Sequence, residues 1–451
     1  MSIASVRRVP ANEVGLTLVD EPPRTLGFLD LVALWGNLGI SLLGPTAALF
    51  ILAPTGTPMS LFAAFVAVLI GSLIGVLPVA AMALAGAETG QPSMVLLRGL
   101  FGARLSFLPT VLNLIQCVGW GIFELVVIAS AASELLPWDT RWCYVLAGGI
   151  VTTLMALRPL GVVRVLRRYV LVAVLVSMTY FLVQLARGPL PGVTDGGWTG
   201  FWLAVDAVIA VSISWVPLAA DYTRHARSRR SAFRGTLAGY SVTQIACYVL
   251  GLLAYSTVVR TEGESALFHA FIAVPFGWLP FAVLVLRELD ESFTNVYSTV
   301  VSVQNLRPRA DRRVLALVIG ALTTLGALLL HIRDYQNFLY LIGSVFVPLS
   351  AVFIVEYFLL GGRRSWNTSQ RAPSRWWMLL PWAAGFVAYQ LINPGGIARW
   401  ASAWTRVQGW LHFVPQSWMS ASALSFLVAA VLTLMVGTWR WTVNRRLEPH
   451  L

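Results

Sequence analysis

Apolar residues fill this chain in long runs separated by short polar gaps, and the runs fall at about 29–53, 58–86, 105–135, 141–158, 168–187, 200–221, 236–258, 275–303, 312–331, 335–360, 376–393 and 419–442. A helix rising ~1.5 Å per residue needs roughly 20 apolar residues to cross a hydrocarbon core of ~30 Å. Each run therefore predicts one membrane-spanning helix, twelve in all. The first 24 residues are polar, carry Pro10, Pro22 and Pro23 and lack an A-x-A-like cleavage site, which predicts a short cytoplasmic tail and not a signal peptide.

Composition removes the soluble alternatives. The 451 residues are 57% hydrophobic and 12% charged, against about 25% charged in an ordinary soluble protein. A mean hydropathy of +0.73 fits an all-α integral membrane protein with no room for a soluble domain. The net charge of +12 does not point to nucleic acid, because all 32 cations are arginine and they fall almost entirely between the apolar runs. Alternate gaps differ about fourfold in arginine, and since cytoplasmic loops retain Lys and Arg, both termini are expected in the cytoplasm of a multi-pass protein of the cell (inner or plasma) membrane. Cys117, Cys143 and Cys247 lie in or against apolar stretches with no pairing pattern and read as packing residues. Two polar stretches in external gaps, 395–416 with Trp400, Trp404 and Trp410, and 262–277 with His269, are candidate interfacial helices.

Ionisable side chains inside a span are disfavoured and are functional candidates by default; here they are Glu124, Asp206, Arg287, Glu288, Asp290, Glu291 and Glu356. Glu88, Arg98 and Asp221 sit at span ends and read as interfacial anchors, and Asp206 has no assigned role. The eighth span concentrates four charges in five residues. Arg287 and Glu291 stand i to i+4 and can pair within the helix, which leaves Glu288 and Asp290 needing another partner, a cation or a proton.

Helix breakers mark two further places. The first span contains Trp35-Gly36-Asn37-Leu38-Gly39-Ile40-Ser41 and Gly44-Pro45, and the sixth contains Ser212-Ile213-Ser214-Trp215-Val216-Pro217. Broken backbone in mid-membrane is tolerated only where it lines a cavity or ligand. The two breaks are five spans apart, as corresponding members of two five-span halves of opposite topology, the arrangement of an inverted-repeat secondary transporter. In the third span Trp120 and Glu124 lie i to i+4 on one face, an aromatic plane beside a carboxyl that suits a flat heterocycle with amide or amidine edges. No H-E-x-x-H, G-x-S-x-G or P-loop motif supports an enzyme or ATP drive, and no filter-like repeat supports a channel.

An ordered set of motifs resembles the nucleobase:cation symporter-1 family, near the bacterial cytosine and purine permeases. It comprises Gly86-Ala87-Glu88-Thr89-Gly90-Gln91-Pro92 with Arg98-Gly99-Leu100-Phe101-Gly102, Gly119-Trp120, Leu218-Ala219-Ala220-Asp221-Tyr222-Thr223-Arg224, Asn295-Val296-Tyr297-Ser298 and Glu356-Tyr357. The resemblance implies a leucine-transporter-like fold: a tail over 1–28, a first five-helix repeat over 29–187, an inverted second repeat over 200–360, two peripheral helices over 376–442 and a tail over 443–451. It also implies that a substrate ring stacks on Trp120, that Glu124 takes the place of a substrate-bonding glutamine, and that Ser212, Ser214 and Trp215 line the site from span six, with Asn37 and Ser292 completing it. Ser212 falls where relatives often carry an aromatic residue, and Trp215 is the alternative second face.

The implied cation or proton site combines Gly36, Ile40 and Ser41 of the broken first span with Asp290 and Glu291, which stand where sodium-coupled relatives carry small hydroxyl residues. The expected function is secondary active import of a nucleobase, cytosine or a purine, by H+ or Na+ symport through alternating access. The alternative is a permease for hydroxymethylpyrimidine, a thiamine precursor, or another heterocycle of the same family, and more distantly an amino-acid transporter of the same fold. No cofactor is implied beyond Na+ as coupling ion, and the partners are the heterocycle, the cation and membrane lipid, with no nucleic acid.

Overall fold

The protein is described from a computed structural model covering residues 23–136, 140–157, 161–258, 268–306 and 310–447, with side chains throughout these except at 161–171, 257–258, 290, 293–294, 297–298, 301, 304–306, 312 and 440–447. Most of the expected N-terminal tail, residues 262–267 of the second external segment and the side chain of Asp290 thus lie outside the described residues.

Helices follow the apolar runs closely. The first run is α1 (Phe28–Leu38) and α2 (Leu43–Leu52), bent by 63° at the break between them. Then come α3 (Leu61–Thr89), a short α4 (Ser93–Phe101), α5 (Phe107–Leu135), α6 (Arg141–Leu157) and α7 (Gly161–Ala186). The sixth run is divided into α8 (Phe201–Ile213) and α9 (Val216–Thr223), and is followed by α10 (Arg229–Val258), α11 (His269–Ile272), α12 (Trp278–Leu306) and α13 (Arg312–Leu329). The chain finishes with α14 (Asp334–Ile354) running into a π-helical turn (Val355–Leu359), α15 (Gly362–Ser365), α16 (Leu379–Ile392), α17 (Ala398–Trp410) and α18 (Ala421–Leu447). Six of these segments are long and apolar enough to cross a membrane unaided, α1 with α2 passes as a bent pair, and four more apolar stretches are shorter. The long α12 carries the cluster of charges.

Packing is reciprocal between the two halves. α1 lies against α10 while α3 lies against α8 and α9; α5 packs on α13 while α6 packs on α12. Glycines make the close approaches possible. A Cβ at Gly86 of α3 would sit 2.6 Å from the Ala220 Cα of α9, and one at Gly239 of α10 would sit 2.6 Å from the Val32 carbonyl of α1. The same exchange recurs between α6 and α13, where Gly149 meets Thr324 and Gly320 meets Thr153.

Asp206, unexplained by its own span, caps a different helix. Its carboxylate on α8 accepts from Ser420 Oγ at 2.6 Å, Ala421 N at 2.8 Å and Ser422 N at 3.1 Å, closing the amides that open α18 and meeting the positive end of its dipole. Replacing Asp206 by Ala strands three buried donors, and we expect a loss of about 2–3 kcal/mol, read as a lower melting temperature. Asp206→Asn should recover part of it, and an unshifted melt for the alanine variant would remove this role.

The stretch read as an interfacial helix is α17, in which no residue is fully buried. Trp400 and Trp404 cluster with Phe386, and Trp400 Nε1 donates to Gln390 Oε1 at 2.8 Å. The span-end acids Glu88 and Asp221, and Glu356, expected inside a span but lying in the π-helical turn that follows α14, serve as ties at one end of the bundle. Glu88 accepts from Arg363 and from Tyr357 Oη, Asp221 accepts from Ser93 N at 2.8 Å, and Glu356 pairs with Arg375.

Candidate substrate site at the helix breaks

Both breaks open onto one interior cavity. Its wall is formed by Leu38, Gly39, Ser41, Leu43 and Gly44 from the first break and by Val211, Ser214, Trp215 and Leu218 from the second. Gln116, Cys117, Trp120 and Glu124 of α5 line it too, with Tyr240, Gln244, Cys247 and Tyr248 of α10, Glu291 and Asn295 of α12, and Tyr335 of α14. About 60 Å³ of it is open to the centres of water molecules. That is room for several waters at roughly 10–15 Å³ each, on the scale of one small ring system.

The breaks persist because side chains from neighbouring helices take up the backbone groups they free. At the first, Arg287 Nη2 donates to the Asn37 carbonyl at 2.7 Å, at the carbonyl end of α1. Glu288 Oε2 accepts from Leu42 N at 2.8 Å, at the amide end of α2, and Glu288 Oε1 accepts from Ser41 Oγ at 2.8 Å. A cation therefore faces the negative end of one half-helix and a carboxylate the positive end of the next. Arg287 is also bonded to Glu291 Oε2 at 2.5 Å, the pairing expected from their spacing. At the second break, Gln116 Nε2 of α5 donates to the Ser214 carbonyl at 2.8 Å.

Five polar atoms on cavity-lining residues are buried with no hydrogen-bond partner among the described residues: Gln116 Oε1, Trp120 Nε1, Glu124 Oε2, Tyr248 Oη and Tyr335 Oη. The first three are fixed through their neighbours. Glu124 Oε1 accepts from Asn295 Nδ2 at 2.7 Å, and Gln116 Nε2 is further tied to Asn113 Oδ1 at 2.9 Å. The Trp120 indole is wedged edge-on against Tyr335 and Phe338, with ring centroids 5.9 and 5.3 Å away. Buried polar groups are normally satisfied, so this convergent set is suited to a ligand with N–H donors for the two oxygens and an acceptor for the indole N–H.

Of the residues expected at the substrate and cation sites, the structure brings Trp120, Glu124, Ser214, Trp215, Ser41 and Glu291 to the cavity wall. It places five others elsewhere. Ser212 is fully buried and donates to Gln244 Oε1 at 2.8 Å, against the glycine seam of α3. Ser292 is buried away from the cavity. Asn37 contributes its carbonyl to Arg287, Gly36 packs on α10 near Thr243, and Ile40 borders a smaller void with Leu284, Arg287 and Glu288. Glu288, expected to need a cation or proton, has Ser41 and Leu42 as partners. Gln116, Tyr240, Gln244 and Tyr335 were missed, being ordinary polar and aromatic residues in apolar runs; only Gln116, four residues before Trp120 on the same face, carries a readable signal.

An all-helical bundle in which one span bends by 63° and another is interrupted at Ser214–Trp215, both facing a partly polar cavity, defines a multi-pass membrane transport protein. A family profile described as permease for cytosine/purines, uracil, thiamine, allantoin matches residues 19–389, and the chain belongs to this family. Among relatives, it is similar to the putative purine-cytosine permease YxlA of Bacillus subtilis (22% identity over 326 residues, 68% of this chain and 71% of that one). It is also similar to the cytosine permease of Escherichia coli K12 (23% over 343 residues, 74% and 79%). In fold it resembles the inward-facing conformation of Mhp1, with a TM-score of 0.75 at 16% identity over 95% of this chain and 94% of that one. A second structure, Mhp1 in a closed conformation with bromovinylhydantoin bound, superposes with a TM-score of 0.68 at 18% identity over 95% and 96%. The protein is thus a permease and not an enzyme.

Proposed function

We propose that this permease imports a nucleobase, cytosine or a purine, by cation symport and alternating access across the plasma membrane. In this reading twelve spans, both termini cytoplasmic, form two inverted five-helix repeats and two peripheral helices; the reciprocal packing of the two halves supports it. The carrying observation is the set of buried cavity-wall atoms without a partner among the described residues, above all those on Gln116, Trp120 and Glu124 of one helix face. A carboxyl and an amide oxygen beside an indole match a flat ring whose edge offers an N–H next to a basic nitrogen, as in cytosine and adenine. The named substrates of the matching family, and the hydantoin held by a protein of similar fold, are small nitrogen heterocycles, though not all of them carry a basic ring nitrogen. Hydroxymethylpyrimidine presents a similar aminopyrimidine edge and is the alternative.

Uptake of labelled cytosine challenged with unlabelled adenine, guanine, uracil, hydroxymethylpyrimidine and allantoin tests the assignment. Competition by cytosine and a purine is the expected result, and competition by none of the nucleobases would refute it. Trp120→Ala should weaken binding about 5- to 100-fold, the range of one base-stacking contact, without lowering the amount of folded protein. Unchanged affinity would remove Trp120 from the site.

A further inference from the structure

Transporters built on discontinuous helices bind a coupling cation at half-helix C-terminal ends and the unwound carbonyls beside them. Among the described residues, most groups at the first break that could ligate a sodium ion are already engaged. The Asn37 carbonyl already accepts from Arg287 at 2.7 Å, the Gly39 carbonyl faces Cys247 Sγ at 3.7 Å, and the Ser41 carbonyl accepts from Gly44 N at 3.2 Å. The Ser41 hydroxyl, the one small hydroxyl at the break, donates to Glu288 and accepts from Leu43 N at 3.0 Å. The guanidinium is itself almost fully buried, its side chain 3% exposed, and held by Glu291. The guanidinium alone, ~4 Å from a second unit charge in surroundings of effective dielectric ~20, would weaken that charge's binding roughly a thousandfold; of the two neighbouring carboxylates, Glu291 is already bound to Arg287 and Glu288 to Leu42 N and Ser41 Oγ.

We infer that Arg287 permanently holds the place of a coupling sodium ion at this break, so that the protein binds and imports its substrate without sodium and any coupling is to protons. A guanidinium supplies the same positive charge to the end of α1, and it is covalently part of α12, so it cannot dissociate to the cytoplasm with the substrate. This deepens the transport reading above and rests on it for uptake, but not for ion occupancy.

The decisive measurement needs no substrate. Purified full-length protein is melted in sodium chloride and in choline chloride of equal ionic strength, and the wild type is expected to give the same melting temperature in both. Arg287→Gln and Arg287→Ala expose the Asn37 carbonyl and the Glu291 carboxylate; sodium should then raise the melting temperature by a few degrees over choline, as a ligand that binds only the folded state does. Sodium stabilisation of the wild type overturns the inference, and so does a folded Arg287 variant indifferent to sodium. If neither variant folds, the wild-type comparison decides. Binding of labelled cytosine in the same two salts separates the two readings. Equal binding in both supports both, and sodium-dependent binding overturns this inference. An absence of binding by any heterocycle, in a protein whose melting ignores sodium, refutes the nucleobase reading and leaves this one supported.

Discussion

Replacing Glu124 by alanine is expected to lower nucleobase affinity by about one to two orders of magnitude while the protein still folds. Two glutamates line the cavity, and they are not equivalent. Glu291 is bound to Arg287, whereas Glu124 is held by Asn295 through one oxygen and leaves the other buried without a partner. Leaving a buried hydrogen-bonding group unpaired costs about 1–3 kcal/mol, and the alanine variant loses the bond while leaving the ligand's donor in that state. Stability should change less than affinity, because the remaining contact of Glu124 is to one side-chain amide. Glu124→Gln sharpens the reading: it can keep the Asn295 contact but replaces one acceptor with a donor. Ligands offering paired N–H and ring nitrogen, such as cytosine and adenine, should lose more than uracil, whose edge offers a carbonyl. Equilibrium binding of the three bases to each purified variant, with a melting curve as the folding control, measures this. Unaltered affinity in the alanine variant would place the substrate elsewhere.

How much of this was readable from the chain depends on the range over which each feature acts. Span positions and the two breaks follow from local composition, and the Arg287–Glu291 pair follows from i to i+4 spacing. Trp120 and Glu124 share a face for the same local reason, and both line the cavity. The partners of Glu288, by contrast, are 246 and 247 residues away, and those of Asp206 are 214 to 216 residues away. Nothing in the flanking sequence of either acid indicates that it closes another helix's end. Ser212 shows the opposite failure. A small polar residue at a break reads as cavity-lining, yet its position opposite Gly75 turns it into the seam between α3 and α8, where Gln244 takes its hydroxyl. Sequence marks which backbone is broken, and tertiary packing decides which side of the break faces the ligand.

The two breaks are braced in corresponding ways. The first, between α1 and α2, is clasped from α12 by Arg287 and Glu288; the second, between α8 and α9, is clasped from α5 by Gln116. Spans three and eight occupy equivalent places in the two proposed repeats, so each half supplies the strut for the other's discontinuity. The struts differ in chemistry, an ion cluster at one break and a neutral amide at the other. The first break is consequently the one whose failure should cost more.

Glu288→Ala is accordingly expected to be the most damaging single change to stability. Its carboxylate is fully buried and closes both the Leu42 amide and the Ser41 hydroxyl. Removing one member of a buried charged cluster costs about 3–5 kcal/mol, and here it also leaves the Leu42 amide, just before α2, without an acceptor in a medium that offers none. The melting temperature should fall by several degrees and the yield of monodisperse protein with it. Glu288→Gln retains an oxygen for Leu42 N and can place its amide against the Ser41 hydroxyl, so it should lose less than half as much. Ser41→Ala, which deletes the hydroxyl's bond to Glu288 and the one it accepts from Leu43 N, should cost about 1–2 kcal/mol. Cys247 supplies a local readout, since it is 3% exposed and packs against Gly44 just after the break. Its reaction with a maleimide should accelerate in Glu288→Ala at temperatures well below the global melt, while in Ser41→Ala it should stay near the wild-type rate. A Glu288→Ala protein that melts as the wild type does and keeps Cys247 protected would mean that α2 is held by its apolar packing alone and that the carboxylate is dispensable.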